Sequence, residues 1–145
     1  MHPHPVFRTE TEQKNLNFAR ARGFGILAVN GATEPLMAHV PILIADDGGT
    51  CDSHLVRSNP IAVLLRPPQA ARIAVSGPDS YISPEWYAVD DQVPTWNYVA
   101  VHSWGMLELL PQAALGDVLD RQSRHFEEQL APKPSWTRAK MTEEV

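Results

Sequence analysis

Thirteen prolines and eight glycines are the feature that most restricts how this 145-residue chain can fold. They divide the middle of the sequence into short apolar segments, which favours strands and turns over long helices. Asn30-Gly31 separates the first two segments and predicts that they form a hairpin. We predict strands at residues 24–29, 36–44, 50–53, 61–65, 72–76 and 97–110.

Helical signals lie mainly towards the two ends of the chain. Thr9 and Glu12 have the spacing of a capping box, and Gly23 can end the helix that they begin. Pro111 can occupy the first turn of a second helix, whose apolar stripe comprises Leu115, Val118, Leu119, Phe126 and Leu130. A short helical segment is also predicted at residues 55–58. The pattern predicts a mainly β, α+β fold with about six antiparallel strands in a barrel and flanking helices.

Composition narrows the class of protein. Twelve Lys and Arg residues against seventeen Asp and Glu give a formal net charge of −5, which argues against a broad electrostatic contact with nucleic acid. No apolar run approaches the ~18 residues of a membrane-spanning helix, and the N-terminus lacks the pattern of a signal peptide. Cys51 is the single cysteine, so an internal disulfide is excluded. We therefore expect one cytoplasmic domain over residues 1–145, without membrane association.

The aromatic residues are unevenly distributed, because six of the seven Trp and Tyr residues lie between positions 81 and 104. Such side chains stack on planar ligands or fill interfaces, and ordinary core packing accounts for them equally well. Alternation in the strand predicted at residues 97–110 places Tyr98, His102 and Trp104 on one face and Asn97 on the other. The face that carries Tyr98 is typical of a contact surface and not of a core.

The segment at residues 36–43 predicts an edge strand or a bulge. Pro41 cannot donate to a strand ladder, so it favours a place where the ladder is interrupted. An unpaired strand edge offers backbone amides and carbonyls to a ligand. His39 lies in this segment, where a structural, hydrogen-bonded role and a functional role are both open.

Ser53, His54 and Arg57 bring a hydroxyl, an imidazole and a guanidinium together between a predicted strand and a predicted helix. Arginine forms charge-assisted hydrogen bonds to phosphate, and helix N-terminal amides favour negative charge, so the segment predicts an anion site. The alternative is a solvated arginine in a turn. The sequence contains no dinucleotide-binding glycine motif, no P-loop, no hydrolase elbow and no zinc-protease motif, and it identifies no nucleophile or general base.

The chain resembles a known family at four motifs. The longest are the run GPDSYISPEWY, which starts at Gly77, and the run VPTWNYVAVH, which starts at Val93. The run AHVP at Ala38 and the run SHLVRSNP at Ser53 precede them. These motifs resemble those of the PaiB-type FMN-binding negative transcriptional regulators, in the same order along the chain.

The resemblance extends from residue 5 to about residue 142, and it implies a split β-barrel of the flavin-reductase and pyridoxamine-phosphate-oxidase type. It also implies a homodimer with FMN in a groove between the subunits. The implied FMN contacts are the backbone of His39, Val40, Pro41 and Ile42 beside the ring, Ser53, His54 and Arg57 at the phosphate, and Trp96, Asn97, Tyr98 and His102 along the groove. Family members usually continue past the position of Val145 with a helix and an apolar strand, so we expect that part to be absent here.

Three functions follow as hypotheses. The first is an FMN-binding homodimer with a role in negative transcriptional regulation or sensing. The second is an enzyme, either a flavin-dependent oxidoreductase or a haem-binding or haem-degrading protein, in which His39, His54 and His102 could ligate iron or transfer protons. The third, direct DNA binding, has the least support, because the chain is acidic and has no helix-turn-helix pattern.

Overall fold

The computed structural model describes residues 4–130 and 132–142. Within them, six strands form two antiparallel sheets that three α-helices flank. In chain order the elements are α1 (Glu12–Arg22), β1 (Phe24–Asn30), β2 (Pro35–Pro41), β3 (Leu43–Ile44), β4 (Cys51–Asp52), α2 (Pro60–Leu64), β5 (Gln69–Ile82), β6 (Thr95–Leu107) and α3 (Leu115–Glu128). The predicted mainly β fold with flanking helices is confirmed. No helix in the described part of the chain is long and apolar enough to cross a membrane.

The larger sheet has the strand order β2-β1-β5-β6, and β3 pairs with β4 in a separate two-stranded sheet. The sheets do not close into a barrel, and their arrangement is compatible with a split barrel. The strands β2 and β6 are the two edges of the larger sheet. The edge strand predicted around Pro41 is therefore confirmed, and the ladder is interrupted at Ile42, whose N–H donates to the carbonyl oxygen of Gly23 at 2.9 Å.

The core lies on the inner face of the larger sheet. Alternation buries Leu27 and Val29 of β1, and it buries Ala38 and Val40 of β2 on the same side. Ile61 on α2 packs into the same cluster. Since burying one such side chain contributes about 1.5–3 kcal/mol, this cluster is the main source of stability in the domain.

The cap of the first helix lies two residues later than predicted. The hydroxyl of Thr11 accepts a hydrogen bond from the backbone N–H of Lys14 at 3.2 Å, so Thr11 and not Thr9 caps α1. The predicted end is confirmed, because Gly23 adopts a left-handed conformation with φ of 58°.

The predictions of a helix at residues 55–58 and a strand at residues 61–65 are both wrong. Residues 55–58 form an irregular segment and a turn, and α2 follows them. The side chain of Asn59 accepts from the N–H of Ile61 at 2.9 Å, and Pro60 occupies the first helical turn, where its missing N–H costs nothing. Ile61 and Leu65 are then one helical turn apart and both are buried, which explains the apolar run.

The strand predicted at residues 72–76 is longer than expected. It continues as β5 through Gly77 and Pro78 to Ile82. A register shift between Ser76 and Asp79 accommodates Pro78, because a bulge tolerates a residue that lacks an N–H.

Candidate functional site

A cavity of about 1160 Å³ lies against the inner face of the larger sheet. Its floor includes Leu27, Ile73 and Val75, and its walls come from the segment after β4, from α2 and from α3. Trp104 and Met106 of β6 also line it and are 83% and 69% exposed, so the cavity opens along the edge of that strand.

One corner of the cavity holds the predicted anion-binding residues Ser53, His54 and Arg57. Arg57 is exposed and forms no hydrogen bond or ion pair with any other residue that the structure describes. The backbone N–H groups of residues 54–58 likewise donate to no other described residue. A guanidinium and a run of free amides therefore lie in one segment, which is the chemistry that an anion requires.

The other two predicted side chains at this corner are already engaged. The hydroxyl of Ser53 donates to the carbonyl oxygen of Pro41 at 2.8 Å, and this bond ties the corner to the end of β2. His54 Nδ1 lies 2.7 Å from Oε1 of Gln122 on α3. The corner is thus fixed to two different elements, and Arg57 is its free cation.

A polar contact between α3 and β4 supports this corner, and the sequence analysis missed it. Arg121 pairs with the carboxylate of Asp52 at 2.6 Å and with Asp117 at 2.9 Å. Gln122 donates from Nε2 to the carbonyl oxygen of Asp52 at 3.2 Å. The spacing of residues in α3 does indicate that Gln122 is buried, because it falls on the apolar stripe of the helix, four residues after the buried Val118.

The aromatic residues predicted for the site lie elsewhere in this chain. Trp96, Tyr98 and His102 share one face of β6, with Asn97 between the first two, and none of the four lines the cavity. Strand pairing places His39, Ile26, Ala74 and His102 in one row across the four strands of the sheet. The structure of one chain therefore does not bring this group together with Ser53, His54 and Arg57.

This row belongs to an exposed sheet surface, which we call the outer face and define by Phe24, Met37, His39, Tyr98, His102, Trp104 and Met106. His39 stacks on Phe24 with the ring centroids 6.4 Å apart. Burial, together with the positive charge of Arg72, lowers the pKa of His102. The predicted contact surface around Tyr98 is thus an exposed apolar face in this structure.

The residues of β2 that were predicted to run beside a ligand are mostly covered by the protein. Val40 and Ile42 are buried, Pro41 is half-buried, and the N–H of Ile42 is bonded to Gly23. Ile42 lines the cavity, whereas His39, Val40 and Pro41 do not.

Comparison with known proteins decides the family. Residues 1–145 match the family model described as "Putative FMN-binding domain". The chain belongs to this FMN-binding family. The resemblance to PaiB-type proteins is confirmed as well, since the chain is 27% identical over 138 residues to "Protease synthase and sporulation protein PAI 2" of Bacillus subtilis (strain 168). That match covers 88% of this chain and 66% of the relative.

A second relative is the yeast protein "Uncharacterized protein YKL070W" of Saccharomyces cerevisiae, which is 33% identical over 75 residues. The match covers 47% of this chain and 44% of that protein. The chain thus spans just under two thirds of the first relative and less than half of the second.

The cavity fits the chemistry of FMN, a planar ring that carries a phosphate through a sugar-alcohol chain. Arg57 and the free amides of residues 54–58 supply the positive charge and donors for a phosphate. The apolar floor of the cavity, to which the partly exposed Ile73 contributes, can cover a ring. The residues therefore suit the cofactor that gives the family its description.

Proposed function

We propose that this protein binds FMN with the phosphate at the corner formed by Ser53, His54 and Arg57. The observation that carries the proposal is Arg57, a cation without a described partner at the edge of a large apolar cavity, in a chain of an FMN-binding family. An unpaired cation beside apolar surface favours a ligand that is both anionic and planar.

The isoalloxazine ring would lie near the end of β2, beside the backbone of His39, Val40, Pro41 and Ile42, where Ile42 reaches the cavity. Support comes from the position of β2 at the sheet edge and from the bond between Ser53 and Pro41, which joins the phosphate corner to this strand. When bound, FMN accepts and donates electrons. The residues of this chain hold its phosphate and shield its ring from water.

We infer that the protein acts as a homodimer in which the outer face around β6 of one subunit meets the open side of the partner's cavity. Trp104, Met106 and Met37 are 83%, 69% and 62% exposed, and an apolar surface of this kind is typical of an interface. A second copy would bring Trp96, Asn97, Tyr98 and His102 to the FMN groove of its partner. It would also cover Trp104 and Met106 at the mouth of the cavity.

The biological role that fits these features is regulation or sensing through bound flavin. The relative from B. subtilis is named as a protease synthase and sporulation protein, and its link to sporulation favours a regulatory role. The formal charge of −5 argues that such a protein acts through a partner protein or through metabolism and not by broad contact with DNA.

The test is an FMN titration of the purified protein, followed by the visible absorption spectrum. We expect a bound-flavin spectrum for the wild type. In Arg57→Gln the FMN affinity should fall about 10- to 150-fold, which corresponds to the loss of one charge-assisted hydrogen bond. Arg22→Gln is the matched control, because Arg22 is exposed at the end of α1 and does not line the cavity. A folded protein without flavin affinity refutes the proposal, and a Soret band on adding haemin would instead favour haem.

A flavin-dependent oxidoreductase is the second candidate. The cavity volume of about 1160 Å³ exceeds the ~300–1,000 Å³ of most small-molecule pockets, so it has room for a substrate beside a flavin. Oxidation of NADH or NADPH by the FMN-loaded protein would support this candidate, and its absence with both donors would argue for the regulatory role.

A further inference from the structure

The orientation of the Gln122 amide follows from its two partners. Gln122 is 3% exposed, and its side chain lies between His54 and the backbone of Asp52. The carbonyl oxygen of Asp52 can only accept, so the Gln122 nitrogen must face it, at 3.2 Å. The amide oxygen Oε1 must therefore face His54.

The same reasoning then fixes the proton on His54. Nδ1 of His54 lies 2.7 Å from Oε1 of Gln122, and an amide oxygen can only accept. Nδ1 must carry the proton that it donates. In the neutral imidazole only one nitrogen is protonated, so Nε2 carries a lone pair and cannot donate to a ligand.

Ser53 is restricted in a similar way. Its hydroxyl proton is directed at the carbonyl oxygen of Pro41, so the hydroxyl has only lone pairs left for a ligand. An anion at this corner then meets donors from Arg57 and from the free backbone amides of residues 54–58, whereas Ser53 and neutral His54 offer it only lone pairs. A second proton on His54 changes Nε2 from an acceptor into a donor, because both nitrogens of the imidazolium donate.

We propose that Gln122 is a positioning residue that holds His54 in the Nδ1–H form, so that His54 adds a donor for an anion at this corner only when it is a cation. This inference rests on the proposed function, since it specifies the charge state in which the same corner accepts the FMN phosphate. It makes the affinity for the ligand depend on pH, with the tighter binding on the acid side.

The pH dependence of anion binding comes from His54 and not from the charged groups around it. The carboxylate of Asp52 is paired with Arg121, which also binds Asp117. Burial and the charge of Asp52 raise the pKa of the Cys51 thiol to about 11, so this neighbour stays neutral. The other charged residues that line the cavity are Arg57, Arg66 and Glu108.

The tautomer can be observed directly in the ligand-free protein. Long-range ¹H–¹⁵N correlation spectra distinguish an imidazole protonated at Nδ1 from one protonated at Nε2. We expect His54 of the wild type in the Nδ1–H form and a shift towards Nε2–H in Gln122→Met, which removes the acceptor at similar size. Gln129→Met is the matched control, because Gln129 also bonds a histidine on the same helix, His125, at an exposed position.

The effect on ligands is measured with inorganic sulfate, which unlike a phosphate does not titrate in this range. Between about pH 5 and about pH 8, where histidines change charge, we expect sulfate affinity of the wild type to fall about tenfold. The fall should be smaller in Gln122→Met, since its neutral His54 can donate from Nε2. In Gln122→Glu it should move to higher pH, because a carboxylate favours the imidazolium. Gln129→Met should match the wild type.

Three results would overturn the proposal. They are a wild-type His54 protonated at Nε2, a tautomer that Gln122→Met leaves unchanged, and sulfate binding that is absent or constant over this pH range. The wild-type spectrum decides the first point even if the Gln122 variants do not fold. Since the spectra and the sulfate titration use no flavin, a failure of FMN binding refutes the proposed function separately.

Discussion

Replacing Trp104 with glutamate should separate the proposed homodimer into folded monomers. Trp104 is 83% exposed and its side chain lies on the outer face, beside Arg72 on β5. Because it contributes little to the core of its own chain, the substitution should leave the monomer intact. In the monomer the new carboxylate would also lie next to the Arg72 guanidinium, which is a favourable neighbour.

The magnitude follows from the area that a dimer would bury. A tryptophan buries about 150–250 Å² in an interface, and at ~25 cal/mol per Å² this corresponds to about 4–6 kcal/mol per subunit as an upper limit. Measured central interface residues usually fall lower, at about 2–4 kcal/mol. Since a two-fold dimer loses both copies, a loss of at least about 4 kcal/mol is expected, which raises the dimer Kd by about a thousandfold.

Sedimentation velocity over a concentration series measures this Kd directly. The control is Trp136→Glu, because Trp136 is 40% exposed, follows α3 in the chain and is not one of the residues of the outer face. The reasoning is refuted if Trp104→Glu dimerises like the wild type, or if the wild type itself sediments as a monomer at every concentration. Circular dichroism of the variant shows whether the monomer has kept its fold.

Three further predictions concern stability and reactivity. Leu27→Ala should lower the free energy of unfolding by about 2–5 kcal/mol, because Leu27 is 2% exposed at the centre of the core. Urea denaturation measures this change, and an effect under about 1 kcal/mol would contradict that packing. Gly23→Ala should destabilise the protein by at least about 1 kcal/mol. Gly23 has a φ of 58°, and the Cβ of an alanine there would collide with the Phe126 ring. A variant with the wild-type Tm would disprove this. Cys51 is exposed, yet partial desolvation and the charge of Asp52 raise its pKa to about 11, so it should react with a thiol reagent at pH 8 more slowly than the unfolded chain does. The rate should rise as the pH approaches that value, and equal rates in folded and unfolded protein would refute the shift.

The elements that were predicted well are those that local pattern determines. An apolar segment that ends at the Asn30-Gly31 turn located β1, and alternation located β2. Gly23 marked the end of α1 because it alone there adopts a positive φ cheaply. Pro41 identified an edge strand because a proline cannot complete a ladder. The prediction failed at residues 61–65, where a run of apolar residues fits a buried strand and a short buried helix equally well.

The site residues were only partly predictable for a related reason. The residue types and their spacing in one segment indicated an anion corner at Ser53, His54 and Arg57, and the structure places all three at the cavity. The role of Gln122 could not be read from its own segment, because its partner His54 lies 68 residues away in the sequence. Whether those two side chains meet depends on how α3 docks on β4.

By itself, the sequence determined the strands with clear alternation, the edge position of β2, the acidic character of the chain and the family motifs. Each depends on residues that are close together in the chain, so periodicity and residue type suffice. The tertiary structure decided that the aromatic face of β6 and the corner at Arg57 lie on different sides of the sheet, and that Gln122 fixes the proton on His54. These features depend on packing between elements that are distant in sequence, which no local pattern specifies.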